Sequence, residues 1–196
     1  MFRRPATLTL ALLLTFPALV SAGAWDIDGA HSSAKFKVRH LGISNVTGVF
    51  KKMTGTIMMD EADVTKSTVE AVIDATTLDT GDPKRDEHLK SPDFFDVAKF
   101  PTITFKSKKV EKAGEGKLKV TGDLTMRGVT KDVVLDVDGP LTPISAFGGM
   151  KTGASAVTTV NRQDFGVAWS RVMEGGGLVV GNEVAISIDL ELVQKK

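Results

Sequence analysis

Apolar and polar residues alternate one by one along most of this chain, the pattern of β-strands that have one buried face and one solvated face. Three runs show it most cleanly. Their apolar positions include Phe36 and Val38 in the first, Leu118, Val120, Leu124 and Met126 in the second, and Ile186 and Ile188 in the third. Weaker runs with the same period lie at 46–50, 55–59, 69–73, 103–105, 133–137 and 152–160.

Short turn signals such as Gly114-Glu115-Gly116 and Gly139-Pro140 separate these runs, which indicates antiparallel neighbours. A sheet of about eight or nine strands with one apolar face must close on itself or pack against a second sheet. We therefore predict an all-β fold, a closed antiparallel barrel of about eight strands, with a two-sheet sandwich as the alternative. Closure at about eight strands gives either a filled interior or room for one ligand, and the period does not distinguish the two.

The stretch from Gly81 to Phe105 is the longest interruption of the strand pattern. Charged residues come first, and a proline, Pro92, follows them. This order predicts a short helix near residues 82–91 at the rim of the barrel, because proline does not continue a helix. Phe94, Phe95 and Phe100 follow and are expected at or near the entrance.

A second interruption, 161–181, contains Phe165, Trp169 and the run Gly175-Gly176-Gly177. Glycines of this kind permit turns that other residues resist. The two aromatic residues fit either a rim or lid position or ordinary packing beneath a loop.

The first 22 residues have the three parts of a secretory signal peptide: Arg3 and Arg4, an apolar run over 6–20, and the small-residue site Val20-Ser21-Ala22. The apolar run is shorter than the roughly 20 residues that span a bilayer. We predict cleavage after residue 22, an exported domain over 23–196 and no integral membrane span.

Charge and cysteine content exclude several classes of function. Without Arg3 and Arg4 the chain has 23 Lys and Arg against 24 Asp and Glu, so it offers no basic surface for nucleic acid. The absence of cysteine excludes disulfides, thiol nucleophiles and zinc-thiolate sites. The fold must be stabilised by its own core.

Several segments, taken in order, resemble the YceI family of bacterial periplasmic, lipocalin-like proteins. The resemblance covers the whole predicted domain and rests on these segments: Trp25-Asp26-Ile27-Asp28 with His31-Ser32, 36–42, 48–50, 85–89, 94–96, 100–105, 122–131 and 162–166. It implies a periplasmic location and an extended barrel that binds a long isoprenoid lipid, such as an isoprenoid quinone or a polyprenyl phosphate. It implies no catalytic residues and no cofactor.

The residues fit such a ligand. An apolar interior suits a hydrocarbon tail, which gains about 0.8 kcal/mol for each buried CH₂. The expected lining is Phe36, Val38, Leu118, Val120, Leu124, Met126, Ile186, Ile188, Phe94, Phe95 and Trp169. Arginine can bind phosphate and histidine can bond a quinone carbonyl. The expected head-group residues at the rim are His40, Arg39, Arg85, His88, Arg127 and Arg162.

Other functions have weaker support. His31, His40 and His88 supply the ligand type of a zinc site, but His31 and His40 lack the spacing of a close ligand pair, so no metal is predicted. Neither Gly-x-Ser-x-Gly nor His-Glu-x-x-His occurs. The alternatives to a lipid carrier are an enzyme of isoprenoid or quinone metabolism and a solid-core structural protein. A homodimer through an edge or loop face is left open.

Overall fold

The computed structural model describes residues 23–196, so the signal peptide predicted for residues 1–22 lies outside the described residues. Twelve strands are present in this part of the chain. They are β1 (Gly23–Ile27), β2 (Ser33–His40), β3 (Ser44–Phe50), β4 (Met53–Met59), β5 (Thr68–Asp74), β6 (Leu78–Asp79), β7 (Thr102–Gly114), β8 (Lys117–Met126), β9 (Val129–Asp138), β10 (Ile144–Ala146), β11 (Gly149–Asn161) and β12 (Val180–Gln194).

The strands form one closed antiparallel barrel. β1 and β2 both pair with β12 and together make one wall strand, broken by a turn at 28–32. β3 and β4 together make the next wall strand, and β5 and β6 together make the one after it. Each is interrupted in the same way. β7, β8, β9, β11 and β12 complete eight wall strands, and the β11–β12 pairing closes the ring. The predicted eight-stranded barrel is confirmed, and the sandwich alternative is wrong.

The single α-helix among the described residues, α1 (Pro83–Lys90), lies in the predicted stretch. The Asp82 side chain caps it by accepting hydrogen bonds from the amides of Lys84 and Arg85, and Pro83 occupies the first turn, where its missing N–H costs nothing. The helix ends at Lys90, and Ser91 is its C-cap, directly before Pro92.

The two ends of the barrel differ. The helix end carries α1, the β2–β3 turn, the β8–β9 turn and a 3₁₀ helix at Arg162–Phe165. The hairpin end carries the β10–β11 hairpin, the β7–β8 turn, and the far ends of β1 and β12.

The buried core has two clusters, one toward each end. The cluster at the helix end includes Phe50, Leu78, Phe94, Phe165 and Val167. The cluster at the hairpin end comprises Trp25, Ile27, Ala34, Met53, Ile57, Met59 and Leu192. The predicted entrance aromatics Phe94 and Phe95 thus pack into or against the core at the helix end.

Candidate ligand cavity

The barrel contains a cavity of about 230 Å³. Its lining reaches from Phe94 and Val167 at the helix end to Val64 and Pro140 at the hairpin end. All lining residues are apolar except Lys35, Ser67, Thr104, Thr158 and Arg162. A space with this lining favours a hydrocarbon chain over a polar ligand, because a polar group would find few partners there.

Ten of the eleven residues that we expected in the lining do line this cavity: Phe36, Val38, Leu118, Val120, Leu124, Met126, Ile186, Ile188, Phe94 and Phe95. The eight on strands lie there because alternate residues of one strand share a face. Other lining residues were missed because their strands alternate less cleanly, among them Phe50, Ile73, Phe105, Leu135, Ala156 and Val160.

Trp169 is the exception, and its placement in the lining needs correction. Its ring lies 5.4 Å from that of Phe94 and 5.5 Å from that of His88, measured between centroids. It therefore packs against the core cluster at the helix end, beside Phe94. This agrees with the alternative stated above, ordinary packing beneath a loop. Its loop follows β11, and the period of that strand ends before it.

Four of the six residues expected to bind a head group at the rim have side chains that bond to their own chain at or near the surface. Arg39 donates to the carbonyl of Gly42 at 3.2 Å and to the Asn45 amide oxygen at 3.3 Å. Arg85 donates to the hydroxyl and the carbonyl of Thr80, at 2.7 and 3.0 Å.

His88 and Arg127 brace the segment after α1. His88 Nε2 lies 2.9 Å from a carboxylate oxygen of Asp93. Arg127 donates to the carbonyl of Gly166 and, at 2.6 Å, to that of Pro92. These bonds give both side chains a structural role, which residue type and strand alternation alone did not predict.

His40, the fifth, is half-buried at the end of β2 and does not line the cavity. Its position in β2 alternates in step with Phe36 and Val38, which suggested an inward side chain. The strand reaches the rim at this position, where His40 pairs with Ser44 and Val180.

Arg162, the sixth, is buried and lines the cavity at the helix end; it is 4% exposed. Its guanidinium donates to four backbone carbonyls, those of Val167, Trp169, Val180 and Gly181, at 2.6 to 3.2 Å, and to the Asn182 side chain at 3.3 Å. All five N–H groups are therefore used. The side chain ties the loop that follows β11 to the start of β12.

This guanidinium forms no ion pair with any carboxylate of residues 23–196. Burial lowers the pKa of Arg162 below its ordinary value, because desolvation disfavours the charged form. Arginine stays protonated in proteins, so the helix end of the cavity contains a buried positive charge balanced only by carbonyl dipoles.

Of the three histidines considered for zinc, only His31 lies in a group of three possible ligands among residues 23–196, with Asp28 and Glu191. His31 Nδ1 lies 2.9 Å from a carboxylate oxygen of Asp28 and 3.9 Å from one of Glu191. The Lys151 ammonium contacts Glu191 and lies 3.7 Å from Asp28, so it supplies the positive charge of this cluster. The hydrogen bond to Asp28 raises the pKa of His31 above its usual value, and the same bond lowers the pKa of Asp28.

Within residues 23–196, no helix has both the length and the apolar character needed to cross a membrane.

Comparison with known proteins places the chain in one family. Residues 25–192 match the family model described as YceI-like domain. A UPF0312 protein of Vibrio cholerae is 38% identical over 160 residues, which cover 81% of this chain and 85% of that protein. A UPF0312 protein of Pseudomonas savastanoi is 36% identical over 195 residues, covering 96% of this chain and 98% of the relative.

Solved structures agree. The YCEI protein of Campylobacter jejuni is 34% identical, with a TM-score of 0.68, and the match covers 81% of this chain and 90% of that one. BcnA of Burkholderia cenocepacia is 26% identical with a TM-score of 0.71, over 84% of this chain and 98% of BcnA. A domain from Saccharophagus degradans, at 17% identity and a TM-score of 0.64 over 88% of this chain and 99% of that domain, shares the fold. The chain belongs to the YceI family.

Proposed function

We propose that this chain is an exported, periplasmic binding protein that holds the tail of a long-chain isoprenoid lipid in its barrel and shields it from water. The observation that carries the proposal is the cavity that extends from the helix end to the hairpin end, with a lining made almost wholly of carbon. The Saccharophagus protein is described as a polyisoprenoid binding domain, which supports the same ligand class here.

The energetic argument follows from the lining. Each buried CH₂ of a tail contributes about 0.8 kcal/mol, so an isoprene unit of five carbons contributes roughly 4 kcal/mol. Conformational ordering of the tail offsets part of this. A long chain therefore binds through its tail, and we infer that the head group, a quinone or a phosphate, contributes mainly orientation.

The direct head-group contacts that the sequence suggested receive less support. Arg39, Arg85, Arg127 and Arg162 already donate to their own chain. We propose instead that the buried charge of Arg162 favours an anionic or carbonyl-bearing head group through its field at the helix end.

The two alternatives are less well supported. Among the described residues, those lining the cavity include no Asp, Glu or His that could act as a general acid or base on a bound lipid. A solid-core protein would not enclose a cavity of about 230 Å³. Binding without bond making is the function that the geometry supports best.

Native mass spectrometry of protein purified from the periplasm, followed by solvent extraction, tests the proposal. We expect an adduct whose extracted mass is that of an intact isoprenoid lipid, and that mass distinguishes a quinone from a polyprenyl phosphate. A bare polypeptide mass, with nothing extracted even after polyprenyl lipids are supplied, would reject the carrier function. A chemically altered lipid would favour the enzyme.

A further inference from the structure

The segment between β9 and β11, at the hairpin end, is apolar and exposed. No residue between Asp138 and Lys151 carries a charge. Three large apolar side chains of this segment face solvent: Leu141 is 63% exposed, Ile144 61% and Phe147 100%. Exposed apolar residues are ordinary when scattered, but three on one short segment indicate an interaction site.

The turn at the tip of this hairpin makes the aromatic residue harder to explain by folding alone. Phe147 and Gly148 form a two-residue turn in which both φ angles are positive, 51° and 77°. Such turns favour Asn or Asp at the first position, and a bulky residue with positive φ is uncommon. The phenylalanine is thus less favourable for the backbone than its common alternatives.

The β8–β9 turn provides an internal comparison. Arg127 and Gly128 have nearly the same angles, 51° and 74°. The side chain of Arg127 uses its position to brace two loop carbonyls. The Phe147 ring is wholly exposed, and only the Lys151 ammonium lies over it, at 5.6 Å. Neither packing nor turn chemistry accounts for this ring.

The same segment also reaches the cavity. Pro140 lines it together with Val137 and Leu118, which lie near the hairpin-end limits of β9 and β8. We propose that the hairpin segment 141–147 inserts its apolar side chains into the surface of a phospholipid bilayer. Docking in this way places the hairpin end of the barrel against the membrane that supplies or receives the isoprenoid lipid. The inference rests on the proposed function.

A bilayer suits this segment better than a second copy of the chain. A stable protein interface buries about 800 Å² on each partner. β10 has only three residues, Ile144–Ala146, too few to supply such an area. A narrow apolar tip suits shallow insertion at the boundary between headgroups and acyl chains, where aromatic rings are favoured.

Charge contributes little to this docking. Two lysines at this end are paired with acids: Lys117 with Asp138 at 2.9 Å and Lys195 with Asp26 at 3.0 Å. Binding should therefore occur on neutral as well as anionic vesicles and change little with salt, since screening acts on charges and not on apolar insertion.

The test measures binding to vesicles of phosphatidylethanolamine with and without phosphatidylglycerol, by cosedimentation of the full mature chain. Phe147→Asn removes the ring and supplies a residue that this turn prefers, so the fold is retained. We expect it to lower the vesicle partition coefficient by roughly tenfold or more, as the loss of a buried aromatic side chain implies. Ile43→Asn is the matched control, because Ile43 is 80% exposed at the helix end.

A second readout locates the contact. The chain has no cysteine, so Ser145→Cys on the hairpin and Ile43→Cys at the other end each accept one environment-sensitive dye. We expect a blue shift on adding vesicles only for the dye at position 145.

Four outcomes overturn the inference. In the first, the wild-type protein takes up isoprenoid from ethanol but does not bind vesicles. In the second, Ile43→Asn and Phe147→Asn lower vesicle binding equally, and in the third the dye shifts to the blue only at position 43. In the fourth, analytical ultracentrifugation shows self-association that Phe147→Asn abolishes. The last would assign the hairpin to a second copy. Vesicle binding by a protein that takes up no isoprenoid would reject the proposed function and leave membrane docking standing.

Discussion

Replacing Ala156 with leucine tests whether the interior is space for a ligand tail. Ala156 is buried on β11 between Val137 of β9 and Ile188 of β12, and all three line the cavity. Leucine adds three carbons that point into this space. They exclude the matching part of a bound tail.

The expected loss follows from the displaced tail carbons. At about 0.8 kcal/mol for each methylene group, the loss of three carbons costs about 2.4 kcal/mol, which is roughly a 60-fold rise in Kd. The ligand-free protein should keep or slightly increase its free energy of unfolding, because the new methyl groups fill existing space. Titration with an isoprenoid quinone or a polyprenyl phosphate, followed by native mass spectrometry, measures the first effect, and urea unfolding measures the second.

Ala185→Leu is the matched control. Ala185 lies on β12, where it pairs with Thr159 and Lys37, and it does not line the cavity. The same three carbons added there should leave Kd unchanged. Wild-type affinity in Ala156→Leu would refute the reasoning. So would a fall of more than about 1 kcal/mol in the stability of the ligand-free variant, the mark of an already filled site.

Three further changes, the last with a control substitution, test the scaffold. Arg162→Lys keeps the charge but has three donors for five acceptors, so urea unfolding should show a loss of about 3 kcal/mol; a loss below about 1 kcal/mol would mean that the bonds are not stabilising. His31 has a raised pKa, so the stability it adds is present below its ordinary value of 6.5 and is lost as pH rises through the folded-state value. His31→Gln should therefore lower the melting temperature at acidic pH and not at alkaline pH, and a constant difference would reject the ion pair with Asp28. Gly55→Ala would place a Cβ 2.3 Å from a backbone carbonyl of β5 and should cost about 2–4 kcal/mol of stability in urea. Gly175→Ala, with nothing within 4 Å, should be neutral or slightly stabilising, and equal effects of the two would contradict the packing argument.

The wall of the barrel could be predicted because strand period assigns a face directly. Phe36 and Val38, and the apolar residues of β8 and β12, lie on the predicted side. The helix followed from the charged residues that precede Pro92. The cavity itself could not be predicted from the strand period, because the period assigns a face to each residue but does not show whether the side chains on that face fill the interior.

The structural roles of the arginines could not be predicted from the sequence for a different reason. Arg162 binds carbonyls up to 19 residues away in the sequence, and Arg127 binds one 39 residues away. Backbone carbonyls are the same at every residue, so no sequence pattern marks them as partners. Residue type suggested ligand contacts for these side chains, and only the fold shows that their donors are already used.

The last strand also determines when the barrel can exist. β12 pairs with β11 on one edge and with β2 and β1 on the other. Synthesis starts at the N-terminus, so the sheet stays open, with two unpaired edges, until residues 180–194 have been made. Such edges are prone to pair with other chains. Closure joins the first strand to the last, a contact between distant parts of the sequence that is slow to form. The barrel therefore has no complete interior until residues 180–194 have been synthesised and have paired with both edges.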